Sequence, residues 1–250
     1  MMSSRVICGH IEPHWKPGII SELKDRVDLW KIKLPDDLTI PTEIEAVLNN
    51  EEHQTASRFY QAKDRQNFTI RRGVLRILLA GYLGVKASEI EFIKGENKKP
   101  FVNKPAPPGI HFNVSHSGEW ALIGISDYEL GVDIEEFRAS FNYQEILHQG
   151  FSSQEIEFIT SSESPAKNFF QLWTRKEALI KATAKGVDDD LDKIPGLDGS
   201  HDVNAVLLGS TKNWTVKSFN VEKMCQASIA YSDYNSSINF LNFPITNYLA

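Results

Sequence analysis

The hydrophobic period of this chain changes along its length, and those changes constrain the fold more than any other feature. Apolar residues recur at helical spacing over residues 42–83, alternate over 90–135, return to helical spacing over 141–185, and alternate again to residue 243. Helical spacing lays an apolar stripe along a cylinder, whereas alternation puts one face of a strand on a core. The order helices, strands, helices, strands indicates an α+β fold and two similar halves, residues 1–128 and 129–250. No repeat is visible in the residues themselves, and no segment is of low complexity.

Local signals place the elements. VDLWKIKL (27–34) alternates as a strand does. Thr42 and Glu45 form a capping-box pair just after Pro41, predicting a helix to about Tyr60. A second helix is predicted over residues 64–83, with Phe68, Leu75, Leu79 and Tyr82 on one face and Gly84 as its stop. Arg65, Arg72 and Arg76 align on another face, a pattern that by itself describes a solvated side. EFIKG, HFNVS, WALIGIS and LGVDIE read as strands. FNYQEILHQ and SSQEIEFI read as helices, the second opening on the pair Ser152 and Glu155. Ser164 as N-cap and Pro165 at the first position start a strong helix that runs to Lys185 before Gly186. VDDDLDKIPGLDGSHD is an acidic loop, and AVLLG, WTVKSFNV, QASIAYS and INFLNF read as closing strands.

Composition removes several classes. At 250 residues the chain is long enough for one large or two small domains, at about 150 residues each. A content of 41% hydrophobic and 24% charged residues excludes disordered, collagenous and coiled-coil chains. The most apolar stretch, residues 73–85, is broken by Arg76 and falls short of the roughly 20 residues a bilayer demands. The start lacks the apolar run of a secretory signal. Cys8 and Cys225 form no CxxC pair, as expected of a reduced cytoplasmic protein. A net charge of −6, from 27 basic and 33 acidic residues, argues against a general nucleic-acid binder.

Some chemical motifs fail on inspection. Cys8, His10 and His14 lack a second pair at zinc-finger spacing. Asp188, Asp190 and Asp192 begin like an EF-hand, but Lys193 and Gly199 stand where glycine and glutamate belong. No GxSxG, GxxxxGKS/T or GxGxxG is present. Ser115 and His116 suggest a hydrolase pair, yet neighbours on a strand point to opposite faces.

Three segments carry more. In GVDIEE, Asp133 and Glu135 share one strand face, and two such carboxylates repel unless a cation or proton lies between them. Hard oxygens on a rigid strand suit Mg²⁺, though acidic pairs also occur on solvated faces. In LWTRKEALIK, Glu177 and Lys181 are helical neighbours, either a surface pair or a third metal oxygen with a phosphate-binding ammonium. Trp173, a turn earlier, would anchor that helix in the core. In FNVSHS, a hydroxyl and an imidazole at a strand end can bond phosphate oxygens.

The pieces KKPF (98–101), FNVSHSGEW (112–120), GVDIE (131–135) and WTRKEALIK (173–181), in this order and at these separations, resemble the Sfp-type 4′-phosphopantetheinyl transferases. The resemblance covers roughly residues 40–186 and is looser at both termini. It implies transfer of phosphopantetheine from coenzyme A to a serine of an apo acyl or peptidyl carrier protein, with release of 3′,5′-ADP. It also implies two similar α+β halves with the active site in the cleft between them, residues 1–128 being the coenzyme A side and 129–250 carrying the metal ligands. Carried over by motif, Asp133, Glu135 and Glu177 are the Mg²⁺ ligands, with Mn²⁺ able to substitute. Lys181 lies near the pyrophosphate, and Lys99, Ser115 and His116 make further phosphate contacts. Glu155 matches a carboxylate proposed in some members to help deprotonate the attacking serine; Glu177 and a metal-bound water are alternatives.

One departure stands out. Where some members carry 3′-phosphate-binding lysines, ungapped counting finds Glu52 and Thr55 here. Arg58, Arg65, Arg72 and Arg76 are the natural substitutes, since coenzyme A brings its phosphates to a chain of net charge −6. Phe137, Arg138, Phe141 and Tyr143 follow the metal strand and suit a carrier-docking surface as well as ordinary packing. A single chain supplying both cleft walls implies a monomer. The rival readings are a non-catalytic binding module of the same fold, which would not need a complete metal set, and a Ser115–His116 hydrolase.

Overall fold

The computed structural model describes residues 2–104, 109–137, 141–186, 190–232 and 236–248. The first part comprises β1 (Ser3–His10), β2 (Lys16–Pro17), β3 (Arg26–Lys33), α1 (Thr42–Glu45), α2 (Asn50–Ser57) and α3 (Ala62–Leu83). Five strands follow: β4 (Glu91–Lys94), β5 (Pro100–Lys104), β6 (His111–Ser117), β7 (Trp120–Ser126) and β8 (Leu130–Glu136). Helices α4 (Gln144–Gly150), α5 (Ser153–Thr160) and α6 (Pro165–Thr183) come next. The chain ends with β9 (Gly199–Asn204), α7 (Ala205–Leu208), β10 (Trp214–Glu222), β11 (Cys225–Tyr231) and β12 (Ser237–Asn242). No helix among the described residues is long and apolar enough to cross a membrane.

Two five-stranded sheets carry the fold, with orders β6-β7-β3-β12-β2 and β8-β11-β10-β1-β9, beside the small β4–β5 pair. The large sheets are built alike. In each, a local antiparallel trio is extended by a fourth strand that runs parallel to its neighbour and comes from the far end of the chain. A cut between residues 128 and 129 therefore does not separate the sheets: β1 belongs with the later strands and β12 with the earlier ones.

Strand alternation orders the layers. Val27 and Leu29 of β3 face the second sheet, packing with Ile134, Phe219 and Ile229, while Trp30 and Ile32 face α3. On the far side, Val6, Trp214 and Val216 meet Ala178, Leu179 and Ala182 of α6. The sequence of layers is thus α3, sheet, sheet, α6. Each sheet is covered on both faces, which is why WALIGIS is apolar throughout.

Several local expectations are corrected, among them the acidic loop, whose end from Gly199 belongs to β9. Thr42 is not a cap: Pro41 occupies that position without a side-chain bond, and α1 is a single turn. The capping box belongs to Asn49 and Glu52, which open α2. AVLLG is the helical turn α7, capped by the Asn204 side chain and closed by Gly209 in the left-handed region. Gly84 does end α3 at φ +66°, and Ser152 and Glu155 form the predicted box. Ser164 precedes Pro165, but its side chain makes no cap bond.

Candidate active site

Strand β8 divides its side chains between two environments. Leu130, Val132 and Ile134 enter the core between the sheets, which turns Asp133 and Glu135 toward α6. Gly131 makes the approach possible, since a Cβ there would run into the Ala178 oxygen and Ala182 nitrogen of that helix. With α6 laid on β8, Glu177 and Lys181 come to the carboxylates. Lys181 Nζ donates to Asp133 Oδ1 at 2.5 Å and to Ser115 Oγ at 3.3 Å, and Ser115 Oγ donates to the same Asp133 oxygen at 3.0 Å. Trp173 stacks on Phe169, with ring centroids 5.9 Å apart, and packs against the core as expected.

The electrostatics of this cluster are unfavourable without a counter-ion. Burial raises the Asp133 pKa, opposed by Lys181. Burial and then the charge of Asp133 raise both Glu135 and Glu177. Asp133 is 2% exposed, and its Oδ2 has no hydrogen-bond partner. Hard oxygens, mutual repulsion and an orphaned buried carboxylate oxygen fit a divalent cation. As they stand, no three His, Cys, Asp or Glu side chains among the described residues are arranged to hold an ion. Lys181 is the counter-ion of the cluster instead.

A cavity of about 250 Å³ adjoins these groups, lined by Lys99, Pro100, Asn113, Glu177 and Lys181. Pro100 and Asn113 also line a cavity of about 190 Å³ against α3, whose walls include Phe68, Arg71 and Arg72. Lys99 Nζ donates to the Leu130 and Ala182 oxygens at 2.9 and 3.0 Å, and burial lowers its pKa to about 8. His116 keeps an exposed edge, but partial desolvation, then Arg71 and Lys181, lower it to about 4. It is therefore neutral at pH 7. Ser115 is buried against Asp133 while His116 is exposed, so the two form no nucleophile–base pair.

The arginine stripe divides. Arg76 is fully buried; its Nε donates to Glu52 at 2.7 Å and its NH1 to the Ala87 and Ile90 oxygens. It fastens α3 to α2 and faces no cleft, which corrects its expected place at the nucleotide. Arg72 also pairs with Glu52, at 3.5 Å, but borders the cavity. Arg58 and Arg65 are exposed and line neither cavity. Arg71, which the stripe passes over, lines the same cavity as Arg72 and is not paired with Glu52. Its signal was a charge beside Phe68 and Leu75, inside the otherwise apolar face of α3.

Glu155 is not brought to the cluster. It is 2% exposed, and Oε2 accepts from Lys176 Nζ at 2.8 Å and Ser152 N at 2.9 Å, while Oε1 accepts from Gly196 N at 2.8 Å. A carboxylate so occupied ties α5, α6 and the 191–196 loop together and has no access to a substrate hydroxyl, a correction to its expected role as base. In the expected docking segment, Phe137 stacks on Phe170 and Tyr143 packs on Phe169, which is ordinary packing. Phe141 remains 42% exposed, and Arg138 lies outside the described residues.

Comparison with known proteins agrees with this arrangement. Residues 129–234 match the 4′-phosphopantetheinyl transferase superfamily, and residues 40–127 match the N-terminal part of a 4′-phosphopantetheinyl transferase. The chain is 35% identical over 176 residues to the 4′-phosphopantetheinyl transferase HetI of Nostoc, covering 69% of this chain and 74% of that protein. It is 35% identical over 188 residues to a putative 4′-phosphopantetheinyl transferase of Synechocystis, covering 70% and 76%. To Sfp of Bacillus subtilis it is 25% identical over 201 residues, covering 78% and 88%. The two matched segments meet where β7 passes to β8, on either side of the cleft, and this chain belongs to the 4′-phosphopantetheinyl transferase family.

Proposed function

We propose that the cleft formed by β6, β8 and α6 transfers 4′-phosphopantetheine from coenzyme A to a serine of an apo carrier protein and releases 3′,5′-ADP. The observation that carries this reading is the meeting of Asp133, Glu135, Glu177 and Lys181 in one cluster, with the partnerless Asp133 Oδ2 among them and with Glu177 and Lys181 lining the adjoining cavity. Asp133, Glu135 and Glu177 would hold Mg²⁺, or Mn²⁺ in its place, and the ion would neutralise charge on the pyrophosphate.

The chain's own groups do the rest by position and charge. Lys181, between Asp133 and the cavity, meets the pyrophosphate. Lys99 has three donors, two of them spent on backbone oxygens, which leaves one for a phosphate. Neutral His116 serves as a hydrogen-bond partner without adding charge. Arg71 supplies the cation for the 3′-phosphate end that Glu52 and Thr55 do not. The bond formed joins the serine oxygen to the β-phosphorus, the bond broken joins that phosphorus to the 3′,5′-ADP oxygen, and the serine proton needs an acceptor. Glu177, which lines the cavity, is favoured for that role by its position. One chain supplies both walls, so a monomer suffices, and two free, buried cysteines suit a reducing compartment.

Mass spectrometry of apo carrier proteins incubated with coenzyme A and Mg²⁺ tests the proposal. One added phosphopantetheinyl group is expected. No gain across a panel of fatty-acid, polyketide and peptide carriers would reject it.

A further inference from the structure

Strands β6 and β8 are edge strands of different sheets, and among the described residues neither has a backbone strand partner on the side that faces the other. Three alternate residues of β6 span the gap with side chains. Asn113 Oδ1 accepts from Val132 N at 2.8 Å, Ser115 Oγ donates to Asp133, and Ser117 Oγ accepts from Glu136 N at 3.0 Å. Alternate residues share a strand face, so the three rungs follow from the pleat. They stand in for a backbone ladder, and two of them, Asn113 and Ser117, satisfy the edge amides of Val132 and Glu136.

Ser117 does more than bridge. Its hydroxyl accepts one bond from Glu136 N and has a single proton, which it donates to Glu135 Oε2 at 3.1 Å. That pairing fixes one oxygen of a carboxylate that burial and Asp133 would otherwise leave repelled. The following turn packs closely on the next carboxylate of β8. Gly118 sits at φ +56° in the two-residue hairpin between Ser117 and Trp120, and a Cβ there would lie 2.7 Å from the Glu136 carboxylate.

We infer that Ser117 is a positioning residue: a hydroxyl from the first sheet sets the orientation of Glu135 on the second and so ties the divalent-ion site to the seating of one sheet edge on the other. The inference rests on the proposed role of Asp133, Glu135 and Glu177 as cation ligands. Groups that orient metal ligands typically change metal affinity by about 10–100-fold when removed.

The test measures Mn²⁺ binding to the whole chain with coenzyme A present, by electron paramagnetic resonance, alongside melting temperature. Ser117→Ala is expected to weaken Mn²⁺ binding about ten-fold, Ser117→Thr to keep it near wild type, and Ser117→Ala to have almost no further effect in a Glu135→Gln background. A general loss of packing would lower the melting temperature in both backgrounds without that non-additivity. Asp133→Ala separates the two levels of the argument. If Asp133→Ala loses Mn²⁺ while Ser117→Ala binds it like wild type, or if the Ser117 and Glu135 effects add, the positioning role is refuted and the ligand set stands. If Asp133→Ala binds Mn²⁺ like wild type, the ligand set itself falls and the role of Ser117 with it.

Discussion

Replacing Glu155 by alanine removes an acceptor that Lys176 Nζ, Ser152 N and Gly196 N all use. Lys176, itself fully buried, would keep only the Leu191 and Ile194 oxygens, at 3.0 and 2.7 Å. Breaking a buried ion pair from one side costs about 3–5 kcal/mol, because the remaining charge is left uncompensated. In a chain of this length each kcal/mol lowers Tm by about 2–4 °C, so Glu155→Ala is expected to melt about 6–20 °C below wild type. Glu155→Leu with Lys176→Met removes both charges and should recover part of that loss, since an apolar pair needs no compensation. Urea unfolding followed by circular dichroism gives the stability, and carrier modification scored by mass spectrometry, at a temperature where each variant is folded, gives the activity. A folded Glu155→Ala that melts with wild type but transfers nothing would refute this reasoning and return the carboxylate to the reaction.

Arg71→Ala is expected to raise the KM for coenzyme A about ten-fold with little change in Tm, whereas Arg76→Ala should cost up to about 3–5 kcal/mol, because it leaves the buried Glu52 only its longer pairing with Arg72 at 3.5 Å; steady-state kinetics with thermal melts would expose a reversal. Lys99 loses its proton near pH 8, so coenzyme A affinity measured by titration calorimetry should hold below that pH and fall above it, and Lys99→Arg should flatten the profile. The raised pKa values of Glu135 and Glu177 make their contribution to stability greatest at low pH, and it is lost as pH rises through those values. The gain in Tm on adding Mg²⁺ should therefore be larger at pH 8 than at pH 5, Glu177→Gln should raise Tm in EDTA while abolishing transfer, and full activity in excess EDTA would contradict the cation site. Phe141→Ala should raise the KM for the carrier protein and leave that for coenzyme A unchanged; an equal rise in both would remove Phe141 from the docking surface.

What could be read in the sequence was local. Gly84, the Ser152–Glu155 box, the shared face of Asp133 and Glu135 and the helical adjacency of Glu177 and Lys181 all follow from spacing within one element. What could not be read depends on partners far along the chain. Residues 205–208 are too short to show a period, and their real signals were the flanking Asn204 and Gly209. The exchange of β1 and β12 between sheets leaves no local mark, because parallel pairing joins segments from opposite ends of the chain. The burial of Arg76 was hidden for the same reason, its partner Glu52 being 24 positions away. Ser117 reads as a small polar residue near a turn until β8 is beside it.

Glu52 shows why a departure from the family pattern need not be a lost contact. Counted by position, a carboxylate stands where some members carry a lysine, which suggests only a weaker phosphate site. In the fold that carboxylate is 8% exposed, closes the α2 capping box on Asn49 N, and pairs with Arg76 and Arg72. A lysine here would set a third cation against two arginines with no anion among them. The acid and the arginines therefore form one unit: Glu52 holds α2 on α3 and neutralises Arg76, while Arg71 on the neighbouring face stays free of that carboxylate and borders the cleft. On the proposed reading α3 rather than α2 offers positive charge to the nucleotide end, and the cleft keeps its cations without burying an uncompensated one.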